Sequence, residues 1–257
     1  MRTHKKSWRP FLNELGVHAS VLALWEIACR TVIPPIYLPA PSSVFLAFVA
    51  TIQSGELATQ LGQTASVLAL GFFLAMISGM LLGIAMGAST LLSRLLDPYI
   101  NALNSMPTVA LVPLVVIWLG LGYEAKVFLT WIVSFFSIVI SAQTAVQNIP
   151  HAYLDTARAF ASGPFSTLSK VIMPASIPYF VSGIRLGLAR ALVGVVVAEM
   201  FTAMSGLGFM VTTYGNTFKI SFVFVPIITL ALLSVGLNAI LRTVEARLTP
   251  WKNGRNR

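Results

Sequence analysis

The sequence predicts an all-α membrane protein with about six transmembrane helices. Three observations lead there. Only 10% of the 257 residues are charged and 56% are hydrophobic, whereas a soluble globular chain carries roughly 25% charged residues. The mean hydropathy is +0.83. Four intervals contain no Asp, Glu, Lys or Arg: between Glu56 and Arg94, Asp97 and Glu124, Lys126 and Asp155, and Lys219 and Arg242. Each exceeds the roughly 20 residues that a spanning helix requires. A water-soluble fold would need more polar surface than these residues supply. A disordered chain would lack the large apolar side chains.

The first span is expected at about Val17–Ile33, despite Glu26 and Arg30. A basic start before an apolar stretch resembles a signal peptide. Glu26 interrupts the stretch and no small-x-small cleavage site follows, so a retained helix is expected. Pro34-Pro35 ends it. Pro41-Ser42-Ser43 is a helix start, and Val44, Phe45, Phe48, Val49 and Ile52 suit a short interfacial helix.

The second span, about Ala65–Ala88, carries Gly71, Ala75, Gly79, Gly83 and Gly87 at every fourth position or its multiple. On a helix these form one smooth stripe, against which another helix backbone can approach closely. The third span begins near Ala102 and holds Pro107 and Pro113, which free backbone carbonyls and bend a helix. The fourth, about Val127–Ala145, has a small face at Ser134, Ser137, Ser141 and Ala145.

Between about Gln147 and Pro174 the chain is polar enough to leave the bilayer. Leu154, Ala157 and Ala161 share one helical face, with Asp155 and Arg158 on another. Gly163-Pro164 should stop that helix. Phe165, Leu168, Val171 and Ile172 then repeat at helical spacing up to Pro174. Such a pair of short amphipathic helices suits a partner protein or the membrane surface. The fifth span starts near Pro178, with Gly183, Gly187 and Ala191 as a second small stripe and with Arg185, Arg190 and Glu199 inside it. Ionisable groups within spans are candidates for a translocation path or gate; a structural pair or a snorkelling arginine is the plainer alternative. The sixth span covers about Phe222–Leu241.

Charge asymmetry orients the chain. Arg2, Lys5, Lys6, Arg9, Arg94, Arg158, Lys170, Arg242, Arg247, Lys252, Arg255 and Arg257 fall on one side, and Lys126 and Lys219 on the other. The positive-inside rule places both termini in the cytoplasm. The net charge of +9 then reflects topology and attraction to anionic lipid. No basic, aromatic-interleaved patch outside the tails suggests nucleic-acid binding.

Catalytic and metal chemistry finds no foothold. The sequence has no Gly-x-x-x-x-Gly-Lys-Ser/Thr loop, no His-Glu-x-x-His helix and no Gly-x-Ser-x-Gly elbow. Cys29 is the one cysteine, and His4, His18 and His151 are scattered. A transport subunit fits better than an enzyme.

The segment Asp155-Thr156-Ala157, then Ala161, then Val171-Ile172-Met173-Pro174 resembles the EAA loop of ABC-importer permeases. That pattern reads Glu-Ala-Ala, three residues, Gly, nine residues, Ile-x-Leu-Pro. Ala157 and Pro174 match it, and Asp155, Val171 and Met173 are conservative replacements. Thr156 and Ala161 depart from it, Ala161 standing where Gly is usual. Leu38-Pro39-Ala40-Pro41-Ser42-Ser43-Val44, Pro113-Leu114, Ile117 to Gly122, Gly183-Ile184-Arg185, Ala198-Glu199-Met200 and Gly206-Leu207-Gly208 resemble permeases of the nitrate/sulfonate/taurine/bicarbonate type.

The resemblance implies a type I importer permease fold in a bacterial cytoplasmic (inner) membrane. Residues 1–56 would be the N-terminal tail, first helix and outer interfacial segment, 57–242 the permease core and 243–257 a basic cytoplasmic tail. Expected partners are a second permease subunit, as a homodimer, two cytoplasmic ABC ATPase subunits, an extracytoplasmic solute-binding protein and membrane lipid. No cofactor is expected on this chain, ATP and magnesium belonging to the ATPase subunits. Asp155, Thr156, Ala157, Arg158, Ala161, Val171, Met173 and Pro174 would couple to the ATPase. The implied solute is an oxyanion: a sulfonate, taurine, nitrate or bicarbonate. The alternatives are an aromatic acid or pyrimidine vitamin precursor on the same permease, and a stand-alone secondary transporter.

Overall fold

The computed structural model describes residues 9–202 and 204–248. The basic tail residues Arg2, Lys5, Lys6, Lys252, Arg255 and Arg257, together with His4, lie outside the described residues. Among the described residues all regular structure is helical. In order, the elements are α1 (Arg9–Thr31), α2 (Pro41–Gln53), α3 (Glu56–Ala88), α4 (Thr90–Ser105), α5 (Val112–Leu119), α6 (Tyr123–Gln147), α7 (His151–Ala159), α8 (Pro164–Thr167), α9 (Met173–Thr202), α10 (Leu207–Asn216) and α11 (Ile220–Leu248).

Helix α6 is the centre of the bundle, with α3 on one side and α9 on the other. The glycine stripe of α3 is what admits it. Gly71 lies against Thr130, Gly79 against Ile138, Gly83 against Ala142 and Gly87 against Val146. Partners advance along both helices together, so α3 and α6 run parallel. A Cβ at Gly83 would come within 2.7 Å of the Ala142 Cβ, and one at Gly87 within 2.6 Å of Val146. Side chains there would therefore push the helices apart. The second stripe does the same for α9 in the antiparallel sense: Gly183 meets Ser141, Gly187 meets Ile138 and Gly194 meets Thr130 and Val133. Without water between helices to expel, close packing of this kind is a main source of association in a bilayer.

Four helices are long and apolar enough to cross a membrane: Glu56–Ala88, Tyr123–Gln147, the continuous Pro164–Thr202, and Ile220–Arg247. The expected third span is not one straight helix. Helix α4 stops at Ser105, a 3₁₀ turn covers Thr108–Leu111, and α5 follows, the two arms bent by 91°. Pro107 lacks the N–H that would continue the ladder and disfavours helical geometry at Met106 before it. The pair counts as one broken span. Helix α1, with 23 residues, is long enough to cross at about 1.5 Å per residue but carries Glu26 and Arg30. Both charges are satisfied at one end of α1. Glu26 accepts from Arg30 Nε at 2.6 Å, from Ser42 Oγ at 2.7 Å and from the Ser42 N–H at 3.0 Å, which fastens α1 to the first turn of α2.

At the same end of the bundle, α2, α10 and the start of α3 and α11 enclose Ala47, Leu57, Leu207, Met210 and Val225. At the opposite end, Ala142, Ala145, Val146 and Phe180 are buried against Met80, Ile84, Ile172 and Met173. This second cluster roots the polar segment between α6 and α9 on the spanning helices.

Candidate functional site

The segment from α7 to the start of α9 stands outside the bundle. Helix α7 buries Ala157 and half-buries Leu154, while Asp155, Thr156 and Arg158 are exposed. Asp155 and Arg158 pair at 3.2 Å along the exposed face. The helix ends four residues before Gly163, so Ala161 is not on the face of Leu154 and Ala157 as the spacing suggested. Instead Ala161 has φ 49°. The Ser162 N–H bonds the Ala157 carbonyl at 3.0 Å, and the Ala161 N–H bonds the Arg158 carbonyl at 2.9 Å. That is a Schellman ending with Ala161 at its left-handed position, where glycine is the favoured residue. The geometry gives a physical reason why the EAA pattern carries Gly there.

After Gly163, α8 passes through one π-helical turn, Leu168–Ile172, directly into α9. The wide turn immediately precedes Pro174, which has no N–H to donate. The expected second helix and the fifth span are thus one continuous rod, Pro164–Thr202. Val171 and Met173 are half-buried and Pro174 is exposed. A groove of about 570 Å³ opens between α7 and this rod, lined by Tyr153, Ala157, Phe160, Lys170, Val171 and Pro174. Its rim is aromatic, Tyr153 being 53% exposed and Phe160 80%; Phe165, 82% exposed, lines a separate groove with Leu154 and Arg158.

The three ionisable residues of α9 lie in three different settings. Arg185 bonds Glu245 of α11 through Nη2 at 2.5 Å, both side chains being half-buried. Arg190 is exposed on the outer face of α9. Glu199 is fully buried and accepts from Thr64 Oγ1 at 2.8 Å and from the Gly208 N–H at 2.9 Å. Thr64 Oγ1 in turn accepts from the Leu207 N–H at 2.8 Å, and Gln60 Oε1 from the Gly206 N–H at 2.6 Å. Buried Lys126 donates to the carbonyl and hydroxyl of Ser205, both at 2.9 Å. Together α3, α6 and α9 clasp the turn Ser205–Gly208. Gly206 has φ 104°, and a methyl there would collide with the Glu199 carboxyl. Glu199 therefore holds a turn and, among the described residues, is fully buried.

Thr64, Gln60, Lys126 and Glu245 were not singled out from the sequence. Each is an ordinary residue locally and acquires meaning only from a partner on another helix. Lys126 carried one signal, as a cation at the edge of an apolar interval. Among the described residues no group of His, Cys, Asp and Glu could hold a metal ion.

A central helix flanked by two small-residue stripes, a broken span and a protruding segment welded to a spanning rod define a multi-helix membrane subunit. The family of binding-protein-dependent transport system inner membrane components matches over residues 75–250. The chain belongs to that family. It is 30% identical to the taurine transport system permease protein TauC of Escherichia coli (strain K12), over 98% of this chain and 95% of that protein. It is 32% identical to the putative aliphatic sulfonates transport permease protein SsuC of Bacillus subtilis (strain 168), over 95% of this chain and 88% of that protein. The fold is that of an inward-facing MetNI methionine ABC transporter chain, with a TM-score of 0.65 at 17% identity, covering 77% of this chain and 98% of that one.

Proposed function

We propose that this chain is the permease of an ATP-driven importer for a small oxyanion of the sulfonate and taurine class, working as a pair with its ATPase docked on the α7 segment. The single observation that carries the coupling is mechanical. The aromatic-rimmed groove lies between α7 and the Pro164–Thr202 rod, which a tight four-residue turn, residues 160–163, connects. A push on α7 is therefore transmitted to a spanning helix. The chain has no phosphate-binding loop of its own, so a driving force from ATP has to arrive through such a contact. Large apolar side chains exposed outside the bilayer mark interaction sites, and Tyr153, Phe160 and Phe165 are such side chains. The solute class rests on the full-length similarity to taurine and sulfonate permeases. The orientation rests on the basic asymmetry, which puts α7 and both termini in the cytoplasm.

The experiment is co-expression with the neighbouring ATPase and solute-binding protein, then uptake into proteoliposomes. Taurine, methanesulfonate and nitrate are offered with ATP inside or with only an ion gradient. Uptake of one of them that needs both ATP and binding protein is the expected result. Uptake driven by the gradient alone would identify a secondary transporter. ATP-driven uptake of a neutral pyrimidine and of none of the anions would overturn the solute class.

A further inference from the structure

We propose that the break between α4 and α5, together with Arg190, forms a water-lined binding site for a small oxyanion within the membrane, with Asn104 and Ser137 as its polar wall. This rests on the chain being one half of a transport path.

Two independent features require that this face not meet lipid. Residues 101–107 are exposed, and the backbone leaves helical geometry between Ser105 and Thr108. Irregular backbone at membrane depth persists only where protein covers it or water reaches it. Arg190 is also exposed, well inside a spanning rod. Unlike Arg30, Arg158 and Arg185, it has no ion-pair partner among the described residues. A guanidinium facing lipid at that depth is costly.

The packing brings both features to one place. Gly187 contacts Ile138, and Gly194 contacts Thr130 and Val133. Arg190 between them stands at the level of Ser134 and Ser137 on α6. Ser137 donates to Asn104 Oδ1 at 3.5 Å, placing the end of α4 at the same level. Val197 packs against the cluster that contains Val112 and Val115 of α5, and Arg190 lies two turns, about 10 Å, below it on the same face of α9. The break and Arg190 therefore share one level of the bundle, among α4, α5, α6 and α9.

The donor set selects the ligand. A guanidinium offers only N–H donors, in a fork that matches two oxygens of one anion. Asn104 uses its carbonyl on Ser137, which leaves its amide N–H groups for an acceptor. Of the carboxylates on these elements, Asp97 is engaged by Ser93 and Gln143 and Glu199 by Thr64 and Gly208, while Glu124 stands ten residues, about 15 Å, along α6 from Ser134. The ligand class is a sulfonate, sulfate or nitrate-like oxyanion.

The test uses the whole importer complex in proteoliposomes. Cys29→Ser removes this chain's one cysteine, Ser105→Cys places a near-isosteric thiol beside the break, and labelling is read on this subunit's band against the Cys29→Ser complex. Two probes are compared, the anionic sulfonatoethyl methanethiosulfonate and the cationic trimethylammonioethyl methanethiosulfonate. Relative to free cysteine, the anionic reagent should gain roughly tenfold over the cationic one through the Arg190 field. Arg190→Gln should abolish the gain, Arg190→Lys should keep most of it, and sulfate should slow the anionic reagent more than chloride does. The proposal is overturned if neither reagent reacts while a Ser162→Cys control does, or if the ratio equals that of free cysteine with Arg190 intact. The latter comparison decides even if Arg190→Gln fails to assemble. A tenfold gain without anion uptake by the complex would leave the site standing and remove the oxyanion-import reading.

Discussion

The Glu199 carboxylate of α9 accepts a hydrogen bond from Thr64 of α3 at 2.8 Å, although the two residues lie 135 positions apart. Their contact fixes where the chain turns between α9 and α10, because both also hold backbone N–H groups of that turn. Glu199→Ala would leave the Thr64 hydroxyl and the Gly208 N–H without this acceptor. Each unsatisfied buried group costs about 1–3 kcal/mol. Glu199→Gln keeps one oxygen acceptor and should cost less. Thermal unfolding of the purified complex in detergent checks this: the midpoint should fall in the order Gln, then Ala. An unchanged midpoint for Glu199→Ala would remove the clasp from the stability of the fold.

The α3 stripe makes a separate prediction. Gly83→Leu would place a side chain where the Val139 carbonyl and Ala142 already stand. Overpacking of this kind costs about 1–3 kcal/mol or more, and here it forces α3 away from α6. Gly62→Leu on the same helix meets open space and is the control. Yield of folded complex by size-exclusion chromatography should collapse for Gly83→Leu and hold for Gly62→Leu.

These two cases also show what the sequence could and could not tell. The stripe was legible because a glycine every fourth residue is a local pattern with one geometric meaning on a helix. The broken span was half-legible: Pro107 and Pro113 announced a bend, but a run of apolar residues does not disclose an angle. The clasp was illegible, since Thr64 and Glu199 are joined only by the way α3, α6 and α9 pack. Ala161 misled for a physical reason. Alanine is the best helix former, so it read as one more residue on the face of Leu154 and Ala157. The chain turns left-handed there because of the backbone bonds from Ala161 and Ser162.

That left-handed alanine can be improved. An L-residue in this region carries a penalty of roughly 1–2 kcal/mol that glycine escapes, offset in part by the greater freedom of glycine in the unfolded chain. Ala161→Gly should therefore stabilise the end of α7 by a few tenths to about 1 kcal/mol. Ala161→Val, β-branched at φ 49°, should loosen it. Limited proteolysis between Phe160 and Phe165 in inside-out vesicles reads the difference: cleavage should slow for Gly and quicken for Val. The opposite order would mean that the Schellman ending does not govern this segment.

The last prediction tests the α7 segment as the proposed docking site. Its exposed aromatic groups surround a groove in which Ala157 is buried at the floor. Phe160 contributes little to the chain's own core, being 80% exposed. Phe160→Asp should therefore leave insertion and folding intact, while putting a charge into any apolar contact made there. The same logic applies to Arg158, exposed and, among the described residues, ion-paired with its neighbour Asp155 at 3.2 Å. An exposed pair of this type contributes at most about 1 kcal/mol to stability, so Arg158→Glu should also fold. If the segment docks in a cleft of the ATPase, both variants should lose co-purifying ATPase, or keep it and lose stimulation by loaded binding protein. Truncating a central interface aromatic typically costs 2 kcal/mol or more, about thirtyfold in affinity. Reversing the rim charge should show mainly in the association rate and its salt dependence. Pull-down of the ATPase at two salt concentrations separates the two effects. Phe160→Asp should fail at both, and Arg158→Glu should fail more at low salt, where charge repulsion is least screened. Full stimulated hydrolysis and uptake by both variants would place the coupling contact elsewhere on the chain.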